Sequence, residues 1–509
     1  MRKVIAWLQF LRCIFQQIDR VDRRVWFGLI VGLAAITFMA YVFIPTHLIV
    51  HEPLFAPDSD SYINFDPVRP IGYPVFLQIV KVVLGHYEAV VFVQLALYFL
   101  FVVFLCLAFA ARFGSLIATL CLELLLVINP GPIGLAFVAV SDSLSTSLGM
   151  GYLGMVLLFS MYRNWPHLLS LVTMVTVLAL VRPINLILFL PASICILYLA
   201  RDLKAGPKLW PAVFAIFVGG LVSIEATPIA LYFVRGSMET SSPLVRGMFE
   251  KTLFNPDISS ATWHCPDEAY IRELLVPVND YIDHAPAEFQ PTLEQRYSSY
   301  LRFQVIIPAL MRAHRFSDEK QTNAILLCYV TNYLKKFPVR YASQVIKEYG
   351  HLISNYTFFT SDKRQRYLEF IEDHPPVLPP PTDEPPGVSA EDPLSSFKVM
   401  RSYPLLLSLA MSAFYIFSFL IFVVAALYSF ISLLRRRTLR DNWFLLTVFA
   451  LGVQSKLWAT VAIEIALPRY IFPDWPGICV VNVLGVMTLV GTITMNRPAA
   501  SPHRGQSGE

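Results

Sequence analysis

Apolar residues in this chain come in uninterrupted runs of about twenty, the length an α-helix needs to cross a bilayer. The runs lie near 25–45, 88–111, 115–129, 137–161, 167–181, 184–200, 209–234, 403–434, 442–466 and 476–495. A water-facing fold would interrupt such runs with polar residues at helical or strand spacing. Composition agrees: 56% of the residues are hydrophobic and 15% charged, with a mean hydropathy of +0.56, whereas soluble chains carry about 25% charged residues. The expected fold is an all-α polytopic membrane protein with about ten spanning helices, one per run.

Basic residues predict the orientation, because cytoplasmic loops collect Lys and Arg. The first run follows Arg2, Lys3, Arg12, Arg20, Arg23 and Arg24. It is of spanning length with no small-residue cleavage site after it, so it is expected to remain as a signal anchor. With the N-terminus inside, the inner connections carry Arg112, then Arg163, then Arg201, Lys204 and Lys208, then Arg435, Arg436, Arg437 and Arg440, and finally Arg497 and Arg504. The outer side receives 46–87, the turn Asn129-Pro-Gly-Pro132, Arg182-Pro183, the long segment 236–402 and 468–476.

Three regions follow: 1–235 as a transmembrane catalytic module with the first outer loop, 236–402 as an extracytoplasmic domain, and 403–509 as the closing spans and an inner tail. The middle region has helical-looking stretches such as 320–352, and its proline-rich tract from His374 to Gly387 reads as a linker. Cys13, Cys106, Cys121, Cys195 and Cys479 fall in or beside spans, which leaves Cys265 and Cys328 in the outer domain. Two cysteines fix no pattern, so the sequence leaves a disulfide between them open. His264-Cys265 with Asp267 and Glu268 lacks the spacing of a chelating pair and reads as a turn before a helix. Asn355-Tyr-Thr357 fits the glycosylation acceptor pattern.

Charged groups at membrane depth are costly and tend to mark function. Here they gather on the outer face. Asp58 and Asp60 lie in the first outer loop, within Ala56-Pro-Asp-Ser-Asp-Ser-Tyr62. Asp142 lies near the outer end of the fourth run, among the hydroxyls of Val140-Ser-Asp-Ser-Leu-Ser-Thr-Ser147, and Arg182 and Arg469 end their spans. Each has a plainer reading: Asp58 and Asp60 as helix caps, Asp142 as interhelical glue, the arginines snorkelling to headgroups. Glu123, Glu225, Lys456 and Glu464 also lie in apolar runs and read as interhelical pairing or interfacial placement.

The first outer loop, Asp58-Ser-Asp-Ser-Tyr62 followed by Arg69-Pro-Ile-Gly-Tyr-Pro-Val-Phe-Leu77, resembles the aspartate loop and Arg-Pro-x-Gly-Tyr-Pro-like element of bacterial membrane glycosyltransferases of the GT-C superfamily. Ser141-Asp142-Ser-Leu is similar to the acidic motif of that family, Val181-Arg182-Pro183 to its Arg-Pro, and Pro468-Arg469-Tyr470 with Pro473 and Pro476 to its late Arg-Tyr loop. The resemblance covers roughly the first 200 residues and the last span pair; the middle region matches only loosely, through Lys335-Lys-Phe-Pro338 and Tyr341. The order, spacing and common membrane side of these motifs carry it. Relatives include protein mannosyltransferases and the lipid A aminoarabinose transferase. This chain has Asp-Ser-Asp where the mannosyltransferases have an adjacent Asp-Glu pair, which leaves open which aspartate does the work.

The resemblance implies a GT-C-like fold and inverting transfer of a sugar from a polyprenyl-phosphate carrier to a glycan, lipid or protein acceptor at the outer face of a bacterial inner membrane. The partners are thus the lipid-linked donor, the acceptor and the bilayer, with no nucleic acid. A carboxylate takes the proton of the attacking hydroxyl; Asp58 is the first candidate and Asp60 the second, since two aspartates two apart in an extended loop point the same way. A guanidinium meets the charge growing on the phosphate, with Arg469 first and Arg182 second. Asp142, Tyr62, Arg69 and Tyr470 complete the polar site. No cofactor is required, although a divalent metal held by Asp58 with Asp60 or Asp142 stays open. The alternatives are a transporter or flippase of a lipid-linked sugar, for which paired repeats and interrupted helices would speak, and a lipid-linked glycan polymerase or ligase. No internal repeat is visible.

Overall fold

The computed structural model describes residues 22–48, 59–66, 69–200, 209–236, 319–354, 405–434, 441–463 and 472–495, with positions 238, 245, 247–249, 252 and 265. Among them no strand forms. The helices are α1 (Arg23–Leu48), α2 (Ser59–Ile63), α3 (Gly72–Leu84), α4 (Ala89–Phe113), α5 (Leu116–Ile128), α6 (Pro130–Gly134), α7 (Ser141–Tyr162), α8 (Trp165–Val181), α9 (Phe189–Ala200), α10 (Leu209–Arg235), α11 (Glu319–Lys336), α12 (Pro338–Ser354), α13 (Leu405–Leu434), α14 (Asp441–Ile463) and α15 (Trp475–Met495). Turns of 3₁₀ helix lie at Leu135–Phe137, Pro183–Leu188 and Phe472–Asp474.

Seven of these are long and apolar enough to cross a membrane: α1, α4, α7, α10, α13, α14 and the run Phe472–Val490 that enters α15. The chain is therefore a polytopic membrane protein by its helices. Three of the ten expected spans differ. The run at 115–129 becomes a pair bent by 50°, Leu116–Ile128 and Gly131–Phe137, because Asn129 stops α5 and its side chain accepts from the Gly131 amide at the Pro130 start of α6. The runs at 167–181 and 184–200 are shorter apolar helices, since Pro183 holds Arg182 extended (φ −145°, ψ 122°) and ends α8.

The first outer loop, expected as a connection, contains two helices. Where an extended stretch is expected around Asp60, α2 is helical, so the argument that residues two apart point the same way fails there. The second, α3, is apolar and 13 residues long, and buries Tyr73, Pro74, Leu77 and Val80. Its start seats Gly72 against α8: a Cβ at Gly72 would lie 2.7 Å from the carbonyl carbon and oxygen of Leu180 and 2.8 Å from the nitrogen of Val181. Backbone cannot yield as a side chain does. We expect Gly72→Ala to cost about 1–3 kcal/mol, read as a lower Tm in detergent, whereas Gly32→Ala, with nothing within 4 Å of its Cβ, should leave Tm unchanged or raise it.

The most intimate helix pair is α4 with α7, where Gly151 and Gly154 admit the rings of Phe101 and Phe104, the small-residue packing that membrane helices use in place of a hydrophobic drive. α7, α14 and α15 are mostly buried, while α1, α10 and α13 expose apolar faces. α12 buries Tyr341, Val345, Glu348, Tyr349 and Leu352, a helical stripe, against α13 and α14. Tyr349 stacks on Trp458 with ring centroids 4.1 Å apart and donates to Gln454, and Tyr341 donates to the carbonyl of Ala462. The order of these contacts makes α12 run antiparallel to α14, so part of the expected outer domain is joined to the bundle. The pairing that the sequence left open is formed: Cys265 and Cys328 are bridged, with Cα atoms 5.9 Å apart.

Candidate functional site

Polar side chains gather at opposite ends of the bundle. At one end Asp441 of α14 receives Arg112 at 3.6 Å and Arg163 at 3.5 Å, and Arg112 donates to Ser160 at 3.1 Å. These arginines belong to the expected inner connections. At the other end stand Asp142 and Arg182. From Asp142 to Ser160 α7 rises about 27 Å, at about 1.5 Å per residue, so the two clusters lie nearly a bilayer's hydrocarbon thickness apart.

The second cluster is built from four distant parts of the chain. Arg182, held extended by Pro183, sends its guanidinium into an ion pair with Asp142 in the first turn of α7. Both are buried, at 8% and 5% exposure, and the carboxylate lies at the helix N-terminus that favours it. α2 joins the cluster from the side: Ser59 donates to the carbonyl of Ala139 at 2.9 Å, and the Tyr62 hydroxyl lies 2.9 Å from that of Ser141. Arg69 stacks over Tyr62, 4.7 Å from its centroid, and its Nε donates to Ser61 at 2.7 Å. Tyr73 meets Tyr62 edge to face at 4.9 Å and donates to Gln94, which in turn donates to the carbonyls of Ala136 and Val138. Asn185 ties the two helices by donating to Ser145 and to the carbonyl of Leu178.

The fourth part comes from the end of the chain. Lys456 of α14 pairs with Asp474 at 2.8 Å, both buried. The turn carrying Asp474 packs on α7, and Pro183–Leu188 packs on α14, so the two ion pairs are neighbours and Arg182 is within electrostatic reach of Asp474. Beneath Lys456 and Asp474 lies a cavity of about 40 Å³, lined by Gly149, Tyr152, Val448, Gly452 and Gly477 among others. That is room for a few atoms of a ligand or for water.

Of the residues expected at the site, Asp142, Arg182, Tyr62 and Arg69 lie in this one cluster. Asp58, Arg469 and Tyr470 lie outside the described residues, as does the side chain of Asp60. The ends of their loops are described: α2 starts at Ser59, one residue after Asp58, and the Phe472–Asp474 turn starts three residues after Arg469. The linker 374–387, Asn355 and Glu464 also lie outside the described residues. Among the described residues no three His, Cys, Asp or Glu side chains converge as a metal set, and Asp142 is engaged by Arg182.

Nothing in the sequence analysis singles out Asp474, and Lys456 reads there as interhelical pairing or interfacial placement; the structure gives it a partner in Asp474. A signal for both existed. A lysine in an apolar span needs a counter-charge, and the late loop offers Asp474 directly before the next span. The chain matches no protein-family model, no curated protein and no solved structure.

Proposed function

We propose that the chain is a membrane glycosyltransferase of the GT-C type, moving a sugar with inversion from a polyprenyl-phosphate carrier to an acceptor hydroxyl at the outer face of a bacterial inner membrane. The observation that carries this reading is the meeting of four motif-bearing segments at one end of the bundle: α2, the start of α7, Arg182 and the Phe472–Asp474 turn. They come from positions spread over more than 400 residues of sequence. A charged cluster recessed between apolar helices suits a substrate with a charged head and a hydrocarbon tail, because both of its parts keep their preferred surroundings.

In this mechanism the acceptor oxygen attacks the anomeric carbon and passes its proton to Asp58 or Asp60, while the bond from that carbon to the phosphate oxygen breaks and its electron pair stays on the phosphate. Arg469 and Arg182 bind the phosphate as its charge grows. The bridged Cys265 and Cys328 fit an oxidising outer compartment for 236–402. The basic cluster of Arg112 and Arg163 fits an inner end. Ten crossings would be the seven long helices, the bent pair, Trp165–Val181 and Pro183–Leu199, with the shorter Gly72–Leu84 not crossing.

Arg469→Ala should weaken binding of a polyprenyl-phosphate sugar by about 10-fold or more, and Arg469→Lys should recover only part, because lysine lacks the planar fork that grips two oxygens. Titration of the purified variants with a labelled donor measures this. Unchanged affinity in the alanine variant would remove Arg469 from the site.

A further inference from the structure

Asp474 has a feature that its ion pair leaves unexplained. One carboxylate oxygen, Oδ1, holds Lys456; the other, Oδ2, is buried with no hydrogen-bond partner. The residue is 5% exposed and lines the cavity between α7, α14 and α15. A buried carboxylate oxygen without a donor is costly, and such a group calls for water, an ion or a ligand to satisfy it. Besides Lys456, Tyr152 is the one lining residue with a side-chain donor: Gly149, Gly452 and Gly477 contribute no side chain, and Leu153, Leu188, Val448 and Val453 contribute only carbon. Lys456, already on Oδ1, fixes the carboxylate at the wall of the cavity, with Oδ2 left unpaired. Arg182 stands nearby as the neighbouring cation.

We propose that Asp474 is a sugar-binding residue, its Oδ2 accepting a hydrogen bond from a hydroxyl of the transferred sugar whose phosphate is met by the arginines. This rests on the glycosyltransferase reading and extends it by naming the group that selects the sugar. An ionised acceptor makes a strong hydrogen bond, and a site built around one discriminates sharply against an analogue that lacks the donor, because the carboxylate is then left unpaired. Lys456 is the positioning residue, since it sets which oxygen is available.

The test measures binding of a polyprenyl-phosphate hexose, of bare polyprenyl phosphate, and of a series of monodeoxy hexose donors, by the unaltered protein and by Asp474→Asn. The unaltered protein should prefer the sugar-bearing donor, and one deoxy donor should bind about 10- to 100-fold less tightly than its parent. Asp474→Asn should lose affinity for the parent donor by a similar factor, become indifferent to that deoxy position, and bind bare polyprenyl phosphate within about twofold of the unaltered protein. The deoxy series on unaltered protein keeps the test decisive should the variant fold poorly. Equal losses for bare and sugar-bearing lipid, or no loss for either, would overturn the assignment and leave Asp474 as a structural partner of Lys456 or a ligand of buried water. An unaltered protein that binds bare polyprenyl phosphate without regard to the sugar would overturn it while the carrier reading stands. Binding of neither lipid would remove both.

Discussion

Asp58→Asn should slow sugar transfer by about 100-fold or more while leaving donor binding intact, because asparagine keeps the size and polarity of the side chain but cannot take the acceptor's proton. Asp60→Asn is the necessary companion. Asp60 lies within α2, so the expectation that aspartates two apart on an extended stretch share a direction does not carry over to this segment. Asp60→Asn should leave the chemical step nearly intact; should it alone slow transfer, Asp60 is the base in place of Asp58. Single-turnover transfer on folded purified variants reads the difference. If neither slows while both variants bind donor, the aspartates are caps and the site has no base.

The second large effect concerns the buried pair. Arg182→Met leaves Asp142 with a buried charge and no ion-pair partner, and breaking such a pair typically costs about 3–5 kcal/mol. Replacing both at once, Arg182→Met with Asp142→Leu, should return much of that stability, because apolar groups of similar volume often replace a buried ion pair without loss. Donor affinity should not return. Unfolding in a denaturing detergent series and donor titration, run on the same three proteins, separate the structural from the functional role of the pair. Recovery of both stability and donor binding in the double variant would make the pair a packing element only.

Spans were legible because their signal is local: about twenty apolar residues state their own environment. Where the reading failed, the information was not in the run itself. Asn129 and Pro183 decide whether an apolar stretch continues straight, bends or stops, and Arg182 is extended only because a proline follows it. The helical form of α2 was hidden because a five-residue segment has too few turns to show a period. α3 was hidden for another reason. Its helical spacing of Tyr73, Leu77 and Val80 is in the sequence, but its seat against α8, through the Gly72 contact with Leu180 and Val181, is not.

The polar site divides in the same way. Asp142 and Arg182 stood out because a charge in an apolar run is conspicuous. Asp474 did not, because an aspartate in a loop next to prolines looks like a turn residue until Lys456 is found opposite it. Gln94 and Tyr73 were illegible for the same cause: their hydrogen bond joins α3 to α4 across 21 residues, and nothing in either segment announces the other.

The most direct test of the central claim is to reconstitute the purified chain in lipid vesicles with a polyprenyl-phosphate hexose labelled in the sugar, together with the glycan and lipid fractions of a bacterial envelope as acceptors. The glycosyltransferase reading predicts that label leaves the carrier for an acceptor, that bare polyprenyl phosphate appears in equal amount, and that Asp58→Asn or Asp60→Asn stops both. Movement of the intact donor from one leaflet to the other, with its sugar-phosphate bond unbroken and no label on any acceptor, would contradict it and make the chain a flippase.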